Sequence, residues 1–141
     1  MIYVLDTNTI SFILKGDAQI RQRADEALDA GHELIIPKVV DYEVRRGLAA
    51  KRKDRILREY MAFRGSMEIG VIDDSVWERA VEVYASLSQK GRLIGDGDTL
   101  IAAFSLINGY PVTRTLTAPV PPPMWKLAME NIVRSHFPNC A

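Results

Sequence analysis

Ile2-Tyr3-Val4-Leu5-Asp6-Thr7-Asn8-Thr9 opens the chain with an apolar run that ends abruptly in a carboxylate. The run does not alternate polar and apolar residues, which is the pattern of a strand buried on both faces, as in a parallel sheet. A helix is expected directly after Asp6, with Thr7, Asn8 or Thr9 as its cap, running to Leu14 and ending near Gly16. The same order returns downstream. Glu33-Leu34-Ile35-Ile36 reads as a second strand, and Pro37 suits the first turn of a helix carrying Val40, Glu43, Val44 and Leu48, with Gly47 near its end. Alternating strands and helices predict an α/β sandwich around a short, mainly parallel sheet. In such sheets ligands gather beyond the carboxyl ends of the strands, where Asp6 stands.

The remaining elements follow from similar signals. Asp17 can cap a helix that Gly31 stops. Residues 51–64 read as a basic helix packing through Ile56, Leu57, Tyr60, Met61 and Phe63, and 68–72 as a third strand. Asp73, Asp74 or Ser75 caps the next helix, in which Trp77, Ala80, Val81, Tyr84 and Leu87 recur at helical spacing and are expected to form core. A loop through Gly95 leads to a helix over about 97–107, closed by Asn108-Gly109. Tyr110-Pro111-Val112-Thr113 is a candidate fourth strand, weakened by its proline.

The 141 residues suit one domain with a single core. No apolar run approaches the ~20 residues that span a bilayer, and the start carries no basic region or cleavage signal, so a cytoplasmic protein without membrane contact is expected. A single cysteine, Cys140, excludes an internal disulfide framework, and two distant histidines, His32 and His136, do not suggest a histidine-rich metal site. Eighteen basic and 18 acidic residues balance, so global charge does not announce nucleic-acid binding. The bases are nevertheless clustered: Arg45, Arg46, Lys51, Arg52, Lys53, Arg55 and Arg58 fall close together. They form either a solvated helical face or a phosphate-contacting edge, with Arg45, Arg46, Arg52 and Arg55 as candidate RNA contacts.

Four acids stand in stretches that otherwise read as core: Asp6, Glu43, Asp96 and Asp98. Singly, each has a structural explanation. Asp6, Asp96 and Asp98 could be helix caps, and Glu43 could pair with Arg46 at i+3. Jointly, they suggest a shared site, because an isolated buried carboxylate is costly and a hard divalent cation, Mg²⁺ or Mn²⁺, offsets that cost. Asp6 leaves the first strand, Glu43 shares a face with Val40 and Val44, and Asp98 lies in a first helical turn, where an anion is favoured. Such a cluster suits metal-assisted phosphodiester hydrolysis. Asp6 and Asp98 are expected as direct ligands, with Glu43 and Asp96 as ligands or water-orienting groups.

Val4-Leu5-Asp6-Thr7-Asn8, Tyr42-Glu43-Val44-Arg45-Arg46-Gly47-Leu48 and Ile94-Gly95-Asp96-Gly97-Asp98-Thr99-Leu100-Ile101-Ala102-Ala103, in that order, resemble the PIN-domain ribonucleases, and among them the VapC-type toxins of toxin–antitoxin pairs. The resemblance runs from residue 2 to about 114. It implies a three-layer α/β sandwich, an endoribonuclease using Mg²⁺ or Mn²⁺, a homodimer, and neutralisation by a cognate antitoxin. The RNA would be a tRNA, rRNA or mRNA. Asp6, Glu43 and Asp98 match the family's principal acids, and Asp96 an acid common two positions earlier. Thr7 and Asn8 match polar residues that steady the site, and Thr113 matches the threonine ending the fourth strand.

The chain departs from that pattern just beyond Thr113. The family continues into a loop bearing Asn or Asp, then an aromatic and Pro-Gly-Leu. Here Arg114-Thr115-Leu116-Thr117 leads into Pro119, Pro121, Pro122 and Pro123, and no aspartate follows Asp98. The organisation expected is a nuclease domain over 1–114 and an atypical tail over 115–141, with a short helix near 124–135. A frameshift is one hypothesis: Thr-Leu-Thr codons read one base earlier can encode Asn-Ala-Asp. Sequencing the gene tests it, and a neighbouring frame without a family-like continuation ends it. The alternative to an active enzyme is a catalytically impaired PIN-fold binding module acting through dimer or antitoxin contacts. A phosphatase of the haloacid-dehalogenase type wants an acid where Asn8 stands, and a receiver domain wants a paired N-terminal acid and a late lysine.

Overall fold

The structure is a computed structural model and describes residues 1–113. The expectations for the tail, Thr115 and the 124–135 helix among them, lie outside the described residues. Three short strands, β1 (Ile2–Val4), β2 (Glu33–Pro37) and β3 (Glu68–Gly70), form a parallel sheet in the order β1-β2-β3. Ile2 pairs with Glu33 and Ile35 with Glu68. Helices α1 (Thr7–Leu14) and α2 (Ala18–Asp29) connect β1 to β2. Helices α3 (Lys38–Ala50) and α4 (Asp54–Gly65) connect β2 to β3, and α5 (Asp74–Gln89) and α6 (Asp96–Asn108) follow. Both faces of the sheet are covered, so the strands need no alternation. Val4, Leu5, Ile35, Ile36, Val40, Ile101 and Phe104 belong to one core. Phe104 of α6 lies so close to β3 that a Cβ on Gly70 would run into its ring. Val83 and Leu87 of α5 pack with Ala102 of α6 in a second, smaller cluster.

Several sequence expectations are corrected. The cap of α1 is Asp6 itself, whose Oδ1 accepts from Thr9 N at 2.9 Å, in place of Thr7, Asn8 or Thr9. Asp17 and Asp73 cap α2 and α5 as read. Helix α3 passes through Gly47 and stops at Ala50, so Lys51, Arg52 and Lys53 form a turn before α4. Lys53 N donates to Leu48 O at 3.0 Å and Arg52 is left-handed at φ 52, which is how a helix commonly ends. Met61 is exposed, whereas Tyr60 is fully buried. Strand β3 ends at Gly70, short of residue 72. The stripe on α5 is rotated by one residue. Val76, Ala80, Val83 and Leu87 face inward, and Trp77, Val81 and Tyr84 are exposed. Both sets satisfy helical spacing, so periodicity alone could not separate them. The fourth strand is a single parallel bridge between Val4 and Val112. Pro111 has no N–H to give, but its carbonyl accepts from Val4 N at 2.8 Å.

Candidate active site

Helix α3 carries Glu43 towards the start of α6, where Asp96 and Asp98 occupy the first turn. Glu43 presses on the α6 backbone so closely that a Cβ on Gly97 would collide with its carboxylate. Its Oε2 accepts from Thr7 Oγ1 of α1 at 3.4 Å, while its Oε1 is buried with no hydrogen-bond partner among the described residues. Burial pushes the Glu43 carboxyl above the usual carboxylate range, and the negative charge of Asp98 pushes the same way. Arg46 and the Thr7 hydroxyl offset part of that rise. Glu43, Asp96, Asp98 and Arg46 line one open cleft of about 770 Å³, together with Tyr42 and Trp77.

Asp6 reaches this end of the sheet differently. It is buried, caps α1, and precedes Thr7, the residue that touches Glu43. It does not itself line the cleft. Its backbone N donates to Thr113 Oγ1 at 3.4 Å, and that hydroxyl donates to Thr9 Oγ1 at 3.1 Å. Of the three residues expected to support the site, Thr113 bonds to Asp6 N, Thr7 bonds to Glu43 and Asn8 is exposed; Thr9, named from the sequence only as a possible cap, is fully buried against Thr113. Asp96, expected in the loop, opens α6. Among the described residues no three Asp, Glu, His or Cys side chains form a ready-made metal cage. Mg²⁺ commonly takes one or two protein carboxylates and keeps several waters. The unpartnered Glu43 oxygen beside Asp98 therefore fits such an ion.

A sequence profile of the PIN domain matches residues 3–115. The chain belongs to the PIN-domain family. Nucleic-acid cleavage is the general activity of this family. Similar solved structures include VapBC2 from Rickettsia felis bound to a DNA fragment from their promoter, at a TM-score of 0.72 and 25% identity over 79% of this chain and 85% of that one. DNA-bound VapBC from Salmonella typhimurium gives 0.69 and 24% over 78% and 83%. FitAcB from Neisseria gonorrhoeae gives 0.60 and 25% over 79% and 85%. No curated protein matches the sequence. No helix among the described residues of this PIN domain is long and apolar enough to cross a membrane.

The basic residues divide in two. Arg45 is drawn to Asp41, a buried acid that the sequence reading missed. Asp41 Oδ1 accepts from Tyr60 Oη at 2.9 Å and from Arg64 Nε at 2.7 Å, while Lys38 and Arg45 lie 3.6 Å from Oδ2. Burial alone would raise the Asp41 pKa. The hydrogen bonds from Arg64 and Tyr60, with the charges of Arg64 and Arg45, outweigh it and hold the carboxyl below its ordinary value. The available signal was the spacing of Lys38, Asp41 and Arg45 at i+3 and i+4. Arg46 instead lies over the Tyr42 ring, its guanidinium carbon 5.1 Å from the centroid, and lines the cleft. Arg52 and Arg55 are exposed around the α3–α4 turn and lie outside the cleft lining.

Proposed function

We propose that this PIN domain is a Mg²⁺- or Mn²⁺-dependent endoribonuclease and the toxin of a type II toxin–antitoxin pair. One observation carries the reading: a buried Glu43 oxygen within electrostatic reach of Asp98 lacks a hydrogen-bond partner among the described residues. Two carboxylates close enough for one to raise the pKa of the other favour a positive charge near them. A divalent cation bound there would supply Lewis-acid chemistry for phosphodiester hydrolysis. Glu43 and Asp98 would hold it, with Asp96 on the same cleft and Asp6 outside its lining completing the acidic set. Thr7 fixes the Glu43 carboxylate, and Thr113 and Thr9 brace the backbone and cap at Asp6. Arg46 offers a cation to the RNA backbone. The toxin role draws on the likeness to the VapBC and FitAcB structures. It brings a cognate antitoxin, a homodimer and a cytoplasmic setting with it. The nuclease domain is assigned to 1–114 and the tail to 115–141.

A second reading, the catalytically impaired binding module, is favoured by the lack of a ready-made metal cage among the described residues and of any aspartate after Asp98. A Mg²⁺ and Mn²⁺ titration against a structured RNA separates the two. Metal-dependent cleavage that Asp98→Asn abolishes supports the enzyme. RNA binding that needs no metal and yields no product supports the module.

A further inference from the structure

Trp77 is on the wrong side of α5 for a core residue. Val76 and Ala80 take the inward positions, and Trp77 is 54% exposed. It is nonetheless not a stray surface residue, because it lines the same cleft as Glu43, Asp98 and Arg46. Ile72 and Leu100 extend the apolar wall beside it. Near that wall sits a cation. Arg46 is held over Tyr42, and among the described residues it forms no salt bridge. A flat aromatic surface, a guanidinium and a carboxylate pair within one cleft match the three parts of a metal-bound nucleotide. They are a π-face, a phosphate and a cation coordinated between phosphate and acid.

We infer that the cleft takes an unpaired RNA nucleotide, with Trp77 as the stacking platform for its base and Arg46, held on Tyr42, as the partner of its phosphate. This rests on the ribonuclease reading for the identity of the polymer. A base inside a duplex is sandwiched by its neighbours and has no free face for an indole, so the platform selects single-stranded segments. The same stacking is tolerant of base identity, since every base has a π-face. Trp77 therefore sets the strandedness of the substrate and leaves its sequence to other contacts.

The test uses the full chain carrying Asp98→Asn, so that binding is read without cleavage. Fluorescence anisotropy follows a short labelled single-stranded RNA and the same strand annealed to its complement. Adding Trp77→Ala is expected to weaken single-strand binding about tenfold, and Trp77→Phe to restore most of it. Duplex binding stays unchanged. Light scattering and thermal melting accompany each variant. Unchanged single-strand affinity in Trp77→Ala overturns the inference, as does equal loss for single strand and duplex, or failure of the parent to bind single-stranded RNA. A drop in molar mass with Trp77→Ala also overturns it, because the indole would then serve a protein contact. Cleavage by the unmodified chain is measured separately. Tryptophan-dependent binding without cleavage keeps the platform and removes the nuclease. Cleavage with a KM indifferent to Trp77→Ala removes the platform and keeps the nuclease.

Discussion

Gly97→Ala should separate the stability of this fold from its chemistry. Gly97 is the second residue of α6 and has an ordinary helical backbone, so the helix itself welcomes alanine, by up to about 1 kcal/mol. The obstacle is Glu43. Its Cδ would lie 2.9 Å and its Oε2 3.3 Å from the new Cβ, with Oε1 closer still. Ordinary contacts begin at about 3.5 Å, and Oε1 is the nearest atom, so the carboxylate must withdraw by roughly 1 Å or more. Leaving a preferred rotamer costs about 0.5–1.5 kcal/mol, which the helical gain largely offsets. The melting temperature is therefore expected to move by no more than a few degrees. A displacement of that size at a reacting centre costs about 100-fold in kcat. Circular dichroism, Mn²⁺ calorimetry and RNA cleavage read the three quantities. In the double variant with Glu43→Gln the two activity losses should fail to add, because both act on one carboxylate. Wild-type Mn²⁺ affinity and kcat in Gly97→Ala would refute the argument. So would a destabilisation beyond about 2 kcal/mol, which would make the contact one of packing.

The buried Asp41 gives a stability prediction. Tyr60→Phe removes a hydrogen bond to an ionised group and should cost about 1.5–3 kcal/mol in urea unfolding, and Asp41→Ala about 3 kcal/mol or more. Because the folded pKa of Asp41 is lowered, its contribution is complete above the unfolded carboxyl value near pH ~4 and is lost as pH falls through the folded value. The stability gap between wild type and Asp41→Asn should close in that acid range, and a gap constant with pH contradicts the assignment. Glu43 has the opposite sign. Its raised pKa means that the ionised form destabilises the fold at neutral pH and that a cation relieves it. Thermal stabilisation by Mg²⁺ should thus be larger near pH ~7 than near pH ~5, vanish with chelator, and be absent in Glu43→Gln. Arg46→Gln should raise the apparent KM and lower the salt slope of RNA binding by about one. Arg52→Gln with Arg55→Gln should raise KM in a salt-dependent way, and an unchanged KM at low salt takes the α3–α4 turn off the RNA path.

What the sequence made legible were features set by short-range physics. Unalternated apolar runs marked β1 and β2, and Asp17 and Asp73 announced helix starts, because a two-face-buried strand and an orphan helical N–H each leave a local signature. Glu43, Asp96 and Asp98 stood out as acids in apolar settings, and the fold brings them to one cleft. The misses depended on which of two locally equivalent choices packing would take. On α5 the 76/80/83/87 and 77/81/84 stripes are both helical in period, and only the seat on α6 decides between them. Asp41 was hidden because its partners Tyr60 and Arg64 arrive from α4, about twenty residues on. Asp6 suits either an ion-facing acid or a helix cap in sequence, and the structure shows the cap: its Oδ1 accepts from Thr9 N, and the side chain lies outside the cleft lining.

Asp41 and Glu43 are two residues apart on α3, and residues at that spacing point to nearly opposite sides of a helix. One side is fastened: Tyr60 and Arg64 of α4 grip Asp41 through a carboxylate that is 1% exposed. The other presents Glu43 to the first turn of α6 with an oxygen left unsatisfied. An acid in that condition would ordinarily rotate its helix or withdraw towards water, since both desolvation and Asp98 act against it. The grip on Asp41 resists the rotation, and Thr7 restrains the carboxylate itself. The buried ion network, whose Asp41 lies outside the cleft lining while its Lys38 belongs to it, thereby lets the fold hold a poorly solvated carboxylate in place. Weakening it by Tyr60→Phe should loosen Glu43 and lower Mn²⁺ affinity even under conditions where the protein remains folded, an effect that simple loss of global stability does not produce.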